Sequence, residues 1–168
     1  MKSYSAKAVA NAFLDLAEKS GEQIQPMKLQ KLVYMAHGWS LGIFDAPLVD
    51  EPVQAWKFGP VIASTYHSFK QFGSGAITKK AVNYTVNKDT LTIKEEIPEI
   101  DPNDERTRQL ISIVWERYKK FTGPQLSDMT HLSGTPWHEC FNGAHGVEIP
   151  NSAIKKHYKQ LIAERSRS

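Results

Sequence analysis

Along the chain, apolar residues recur mostly with helical spacing, and in one block they alternate. Over residues 5–20, Val9, Ala12, Phe13 and Leu16 repeat at i, i+3, i+4, i+7 while Lys7, Asn11, Asp15 and Glu18 take the other side. That pattern predicts a helix lying on a core, stopped by Gly21. Residues 26–41, PMKLQKLVYMAHGWSL, behave differently. Leu29, Leu32, Val33 and Ala36 share one bearing, Met35 and Trp39 widen it, and Tyr34 and Leu41 lie nearly opposite, so that only Lys31 and Gly38 share a mostly non-apolar bearing. A helix apolar on most sides must be covered on most sides, so this one is the predicted centre of the fold. Pro26 suits its first position, and the stretch is too short, and too interrupted by Lys28, Lys31 and His37, to span a bilayer.

Residues 42–60 lose all long periodicity at Gly42, Pro47, Asp50, Pro52, Gly59 and Pro60. Phe44, Leu48, Val49, Val53, Trp56 and Phe58 make this link too apolar for solvent, so it is expected to fold back over the core, ending in a short extended piece and a turn at residues 55–60. Pro60 is placed to open a third helix, residues 61–72, with Ile62, Tyr66 and Phe69 as its apolar face. Alternation then takes over: Val82, Tyr84 and Val86, a turn-rich Asn87-Lys88-Asp89, then Leu91 and Ile93 read as a β-hairpin. A lone two-stranded ribbon is marginal in water, so its apolar face is expected to dock on the helices or join a further strand.

Downstream, Asp101 to Asp104 offer caps for a helix striped by Leu110, Ile113, Val114, Tyr118 and Phe121, which Gly123-Pro124 is expected to close. Two short helical pieces broken at Gly134-Thr135-Pro136 follow. A last helix then starts near Pro150-Asn151 with Ile154, Tyr158, Leu161 and Ile162, and residues 165–168 are expected to fray. The predicted fold class is mostly α (α+β): one domain over residues 1–168, a helical bundle around a central buried helix with one small β-hairpin.

Composition adds exclusions. With 40% hydrophobic and 23% charged residues, the chain is an ordinary globular sequence. Its formal charge of +3 is mild and its bases are scattered among nearly as many acids, which argues against nucleic acid as a partner. Lys28/Lys31, Lys79/Lys80 and Lys155/Lys156 read as solvated faces. Cys140 is the only cysteine, so no internal disulfide can form, and the N-terminus lacks the apolar run of a signal peptide. A cytoplasmic protein without a membrane segment is expected.

Candidate chemistry is thin. His131, His138 and His145 span a Pro- and Gly-interrupted segment with no metal-ligand spacing, and no thiolate partner exists for Cys140. Cys140 beside His131 and His138 would make a nucleophilic pair only if an imidazole activated the thiol, and no surrounding signature marks it. Asp128, Thr130 and His131 read as capping and turn chemistry. Gly73-Ser74-Gly75 lacks the context of a phosphate loop. No catalytic residue, metal or cofactor is expected. Aromatics in irregular segments, by contrast, are well placed to anchor a protein interface.

The run Met27-Lys28-Leu29-Gln30-Lys31-Leu32-Val33-Tyr34, the Gly38-Trp39 pair, Ala55-Trp56-x-x-Gly59-Pro60-Val61 with Tyr66, and the later Thr130-His131, Pro136-Trp137 and Ile149-Pro150 together resemble the Panacea domain of SocA-like antitoxins and phage-associated GepA-like proteins. The resemblance covers nearly the whole chain in order. It implies an antitoxin of a toxin–antitoxin pair, cytoplasmic, whose partner is a cognate toxin encoded nearby and neutralised by direct protein–protein binding. Relatives that deliver the toxin to a protease imply a protease as an alternative second partner, and a DNA-associated regulator or a Cys/His hydrolase are the remaining alternatives. The toxin contact is expected on the irregular segments, at Lys57, Phe58, His131, Trp137 and His138.

Overall fold

A computed structural model describes residues 2–167. Helix α1 (Ala6–Lys19) opens on Ser5, whose hydroxyl accepts the Ala8 N–H, and α2 (Pro26–Phe44) starts on Pro26 and runs a turn beyond the predicted end. Every residue of α2 from Lys28 to Gly42 is buried, as the all-round apolar pattern requires. Around it pack α1, α3 (Ala63–Phe69), α4 (Glu105–Tyr118), α5 (Gly123–His131) and α7 (Asn151–Ser166), with α6 (Pro136–Cys140) behind α5. The expected fraying from Arg165 meets a helix that continues through Ser166, with the Arg165 guanidinium 4.9 Å over the Trp39 ring, and Ser168 lies outside the described residues. Among the described residues, no helix is long and apolar enough to cross a membrane.

The irregular link does fold back over the core, and it does so as a sheet. Strands β1 (Val53–Trp56) and β2 (Gly59–Val61) pair antiparallel with Ala55 opposite Pro60, and β5 (Val147–Ile149) adds to the other side of β1 with Val53 opposite Ile149. Pro60 therefore belongs to an edge strand instead of opening a helix; α3 begins later, at Ala63. Gly123-Pro124 likewise opens α5 instead of closing α4. Thr122 caps it, accepting the Gln125 N–H while Gln125 reaches back to the Thr122 N–H. On α4, Leu110, Ile111, Val114, Trp115 and Tyr118 are buried, whereas Ile113 is exposed.

The predicted hairpin forms as β3 (Asn83–Asn87) and β4 (Thr92–Glu96), with Val86 opposite Ile93, but it neither docks nor joins another strand. Residues 83–97 are all exposed. What holds the ribbon is its base: Asn11 of α1, read from sequence as solvated, is buried, donates to the carbonyls of Ala81 and Pro98 and accepts the Ala81 N–H.

Helix α7 reaches α2 closely because α2 carries glycine where they cross. A Cβ on Gly38 would lie 2.0 Å from the Tyr158 ring, and one on Gly42 would lie 2.8 Å from Tyr158 Cβ. His37, one residue earlier, accepts the Val49 N–H on Nδ1 at 3.1 Å and donates from Nε2 to Asn151 Oδ1 at 2.8 Å, so the neutral ring ties α2 to the link and to α7.

Two outcomes are expected. Gly38→Ala, by displacing a buried aromatic ring, costs about 1–3 kcal/mol in urea denaturation. Burial holds the His37 pKa below its ordinary value, so the unfolded chain takes up the proton first as pH falls. The His37 contribution to stability is then complete above about pH 6.5 and is lost below it. Denaturation midpoints between pH 7.5 and 5 should show the decline, and His37→Gln should remove the part not due to His157, which burial lowers in the same way.

Candidate functional site

Side chains from three helices converge on the β1–β2 turn. Trp137 of α6 donates its indole N–H to the Trp56 carbonyl at 2.7 Å, Ser127 of α5 donates to the Phe58 carbonyl at 2.8 Å, and Lys31 of α2 donates to the Pro60 carbonyl at 3.2 Å. His131 stands between them, its Nδ1 2.6 Å from the Ser127 carbonyl and its Nε2 3.3 Å from that of Lys57. Both partners are carbonyl oxygens, so whichever ring nitrogen carries a proton donates to the carbonyl it faces. The His131 and Trp137 ring centroids are 3.8 Å apart, and Phe141 stacks on Trp137 at 4.7 Å.

The turn depends on a glycine for two reasons. Gly59 has φ of 110°, and a Cβ there would come within 2.8 Å of Lys31 Cε and Nζ and of Thr130 Oγ1. With its backbone clamped, the turn holds Phe58 out, 61% exposed, with the Lys57 ammonium 5.4 Å from its ring centroid. Thus four of the five expected contact residues meet here: Lys57 and Phe58 outward, His131 half-buried, Trp137 buried against the turn. His138 stays apart, exposed on α6 with Nδ1 3.9 Å from Glu139.

The three histidines considered for a metal scatter to separate partners, since His145 lies against the Trp56 ring at 5.0 Å. Among the described residues, no group of three or more His, Cys, Asp or Glu is arranged to hold a metal ion. Cys140 is half-buried against the core, and His131 and His138 face Ser127, Lys57 and Glu139.

Lys31 corrects the expectation of a solvated face. It is 1% exposed, makes one hydrogen bond, and has no carboxylate beside it, so burial alone pushes its pKa down to about 7. Lys28 is buried too, its ammonium donating to the Lys119 carbonyl. Lys80 pairs with Asp15 and Lys155 with Asp45, while Lys79 and Lys156 face solvent. The available sequence signal for Lys31 was its place inside a helix apolar on all other bearings. Nothing local marked Gln30, whose amide both donates to the Ile62 carbonyl and accepts the Ile62 N–H, or Thr65, whose buried hydroxyl has no partner.

Most of the central helix and the whole of the clamped aromatic turn fall within a stretch matched by the model of an antitoxin family. The model described as "Antitoxin SocA-like, Panacea domain" matches residues 29–138, and the chain belongs to this family. Among curated proteins it is similar to the antitoxin SocA of Caulobacter vibrioides (strain NA1000 / CB15N), with 34% identity over 163 residues that cover 94% of this chain and 84% of that protein. No solved structure matches the chain.

Lys31→Met keeps the length of the side chain and removes a buried amine. The folded pKa of Lys31 lies below its unfolded one, so wild-type stability rises with pH from about 7 to about 10.4 as the unfolded chain alone keeps the proton. The variant should lose the part of that rise not due to Lys28, whose pKa burial lowers in the same way, and be more stable by about 1–3 kcal/mol at pH 7, read from denaturant titrations across this range.

Proposed function

We propose that this antitoxin neutralises a cognate toxin, encoded nearby, by binding it directly in the cytoplasm, and that the projecting hairpin is part of the grip. The observation that carries this reading is the uncovered apolar face of the ribbon. Tyr84, Val86 and Ile93 share that face and are 62%, 60% and 68% exposed, Leu91 in the turn is 82% exposed, and the strand pairing itself is intact. A two-stranded ribbon with an open apolar face gains stability from whatever covers it. Its base is nonetheless fixed, because Asn11 bonds both chain ends and Lys7 donates to Val82 and Asn83. The ribbon therefore meets a partner with little ordering entropy left to lose at its root.

The clamped turn supplies the second part of the contact. Phe58 and Lys57 meet the toxin with His131 beside them, Trp137 acts by holding the Trp56 carbonyl so that the turn keeps its shape, and His138, exposed on α6, adds a separate contact. An exposed aromatic on a pre-organised loop is the kind of residue that dominates interface energetics.

The neighbouring gene's product, expressed alone, should arrest growth, and co-expression of this chain should rescue growth and co-purify with it. Tyr84→Ser with Ile93→Ser, both at exposed positions, should leave the thermal melt nearly unchanged while abolishing rescue and co-purification. Retained neutralisation would remove the hairpin from the contact. Alanine at Lys57, Phe58, His131 and His138 together tests the turn in the same assay, with loss of rescue by a folded variant as the expected result.

A further inference from the structure

Beside the clamped turn, β1, β2, α2 and α3 enclose a cleft of about 480 Å³, the size of pockets that take a small apolar group. Its walls are aromatic: Trp56 and Tyr66 meet edge to face with centroids 4.9 Å apart, and Phe58 and Phe69 complete the lining. Its charge is of one sign. Lys31, Lys57 and Lys70 all contribute to the wall, and no Asp or Glu does. Two polar groups of the wall are unusually short of partners for buried groups. The Thr65 hydroxyl has none although the residue is 1% exposed, and the Lys31 amine, equally buried, makes one hydrogen bond out of the three an ammonium can donate.

Buried polar groups are ordinarily satisfied within the fold, and a buried ammonium is ordinarily paired. Among the described residues no carboxylate meets Lys31, and the cleft wall around it is aromatic, aliphatic, basic or neutral polar, with no acidic side chain. An occupant that brings a carboxylate on an apolar body supplies both halves at once. The final residue of a polypeptide does so from a single Cα, since its free carboxylate and its side chain diverge from the same atom; an internal acidic residue brings the charge without the apolar body. The geometry points to this cleft as the receptor for the carboxylate and apolar side chain of a partner polypeptide's C-terminal residue. The carboxylate is drawn to Lys31 with Lys57 and Lys70 at the wall, and the side chain lies between Trp56, Tyr66 and Phe69. The low pKa of Lys31 agrees with an amine that no anion among the described residues stabilises as a cation.

This assignment rests on the reading of the chain as a toxin-binding protein and adds the chemistry of what the toxin inserts. It is tested without the toxin, on the full chain, so that its failure is separate from any failure of neutralisation. Three peptides are compared by NMR titration, following the Trp56 indole N–H and the Lys31 Cε resonance: acetyl-Gly-Gly-Phe with a free C-terminus, the same peptide amidated, and amidated acetyl-Gly-Gly-Asp. The free acid should move both signals and bind about tenfold more tightly than its amide, one charge-assisted contact being of that order. In Lys31→Met, the preference for free acid over amide should vanish while the amide binds as before. Thr65→Val, which removes the orphan hydroxyl, should weaken the free acid by about threefold. Equal binding of acid and amide, stronger binding of the aspartyl peptide, absence of binding by all three, or a preference that survives Lys31→Met in a folded protein would each overturn the assignment.

Discussion

Helix α2 is buried from Lys28 to Gly42, so the polar groups of that stretch depend on partners inside the protein, and the partners they find are mostly peptide groups of the segments wrapped around it. Lys28 donates to the Lys119 carbonyl beyond α4, Gln30 pairs with both peptide groups of Ile62, Lys31 donates to Pro60, His37 joins Val49 to Asn151, and Ser40 donates to Ala46. An apolar rod would let its wrapping slide. One with a polar group at these points sets the register of each loop that crosses it, because a displaced loop would strand a buried donor or acceptor at a cost of about 1–3 kcal/mol.

The same logic builds the two projecting features from their roots. The β1–β2 turn is determined by Trp137, Ser127 and Lys31 acting on its carbonyls, and Phe58 is exposed because the backbone beneath it is already committed. The β3–β4 ribbon is determined by Asn11, which binds residues 81 and 98 on either side of it. Each feature offers apolar surface on a fixed mount. Lys31 departs from the pattern: it holds the turn, yet with one hydrogen bond and no anion it is the least satisfied charged group of the central helix.

Much of this architecture was legible in the residues. The stripe of Val9, Ala12, Phe13 and Leu16, the cap among Asp101 to Asp104, and the Asn87 turn between alternating strands act over a few residues, so sequence spacing reports them directly. The break at residues 134–136 between two short helices is local in the same sense. Of the candidate site, the aromatic turn and the Thr130-His131 and Pro136-Trp137 pairs could be singled out, though not the fact that they touch.

Sequence by itself determined which stretches are helical, which helix lies at the centre, and that the segment at residues 83–96 is a hairpin, because side-chain period and capping are properties of neighbouring residues. Only the tertiary structure decided that Lys31 and Asn11 are buried while Lys79 is not, that Pro60 ends up in a strand paired to residues near 55, that β5 crosses from the C-terminal third to complete the sheet, and that the face of Tyr84 and Ile93 stays open. Those outcomes depend on which distant surfaces meet, and a period of about 3.6 or 2 residues carries no record of what lies across the gap.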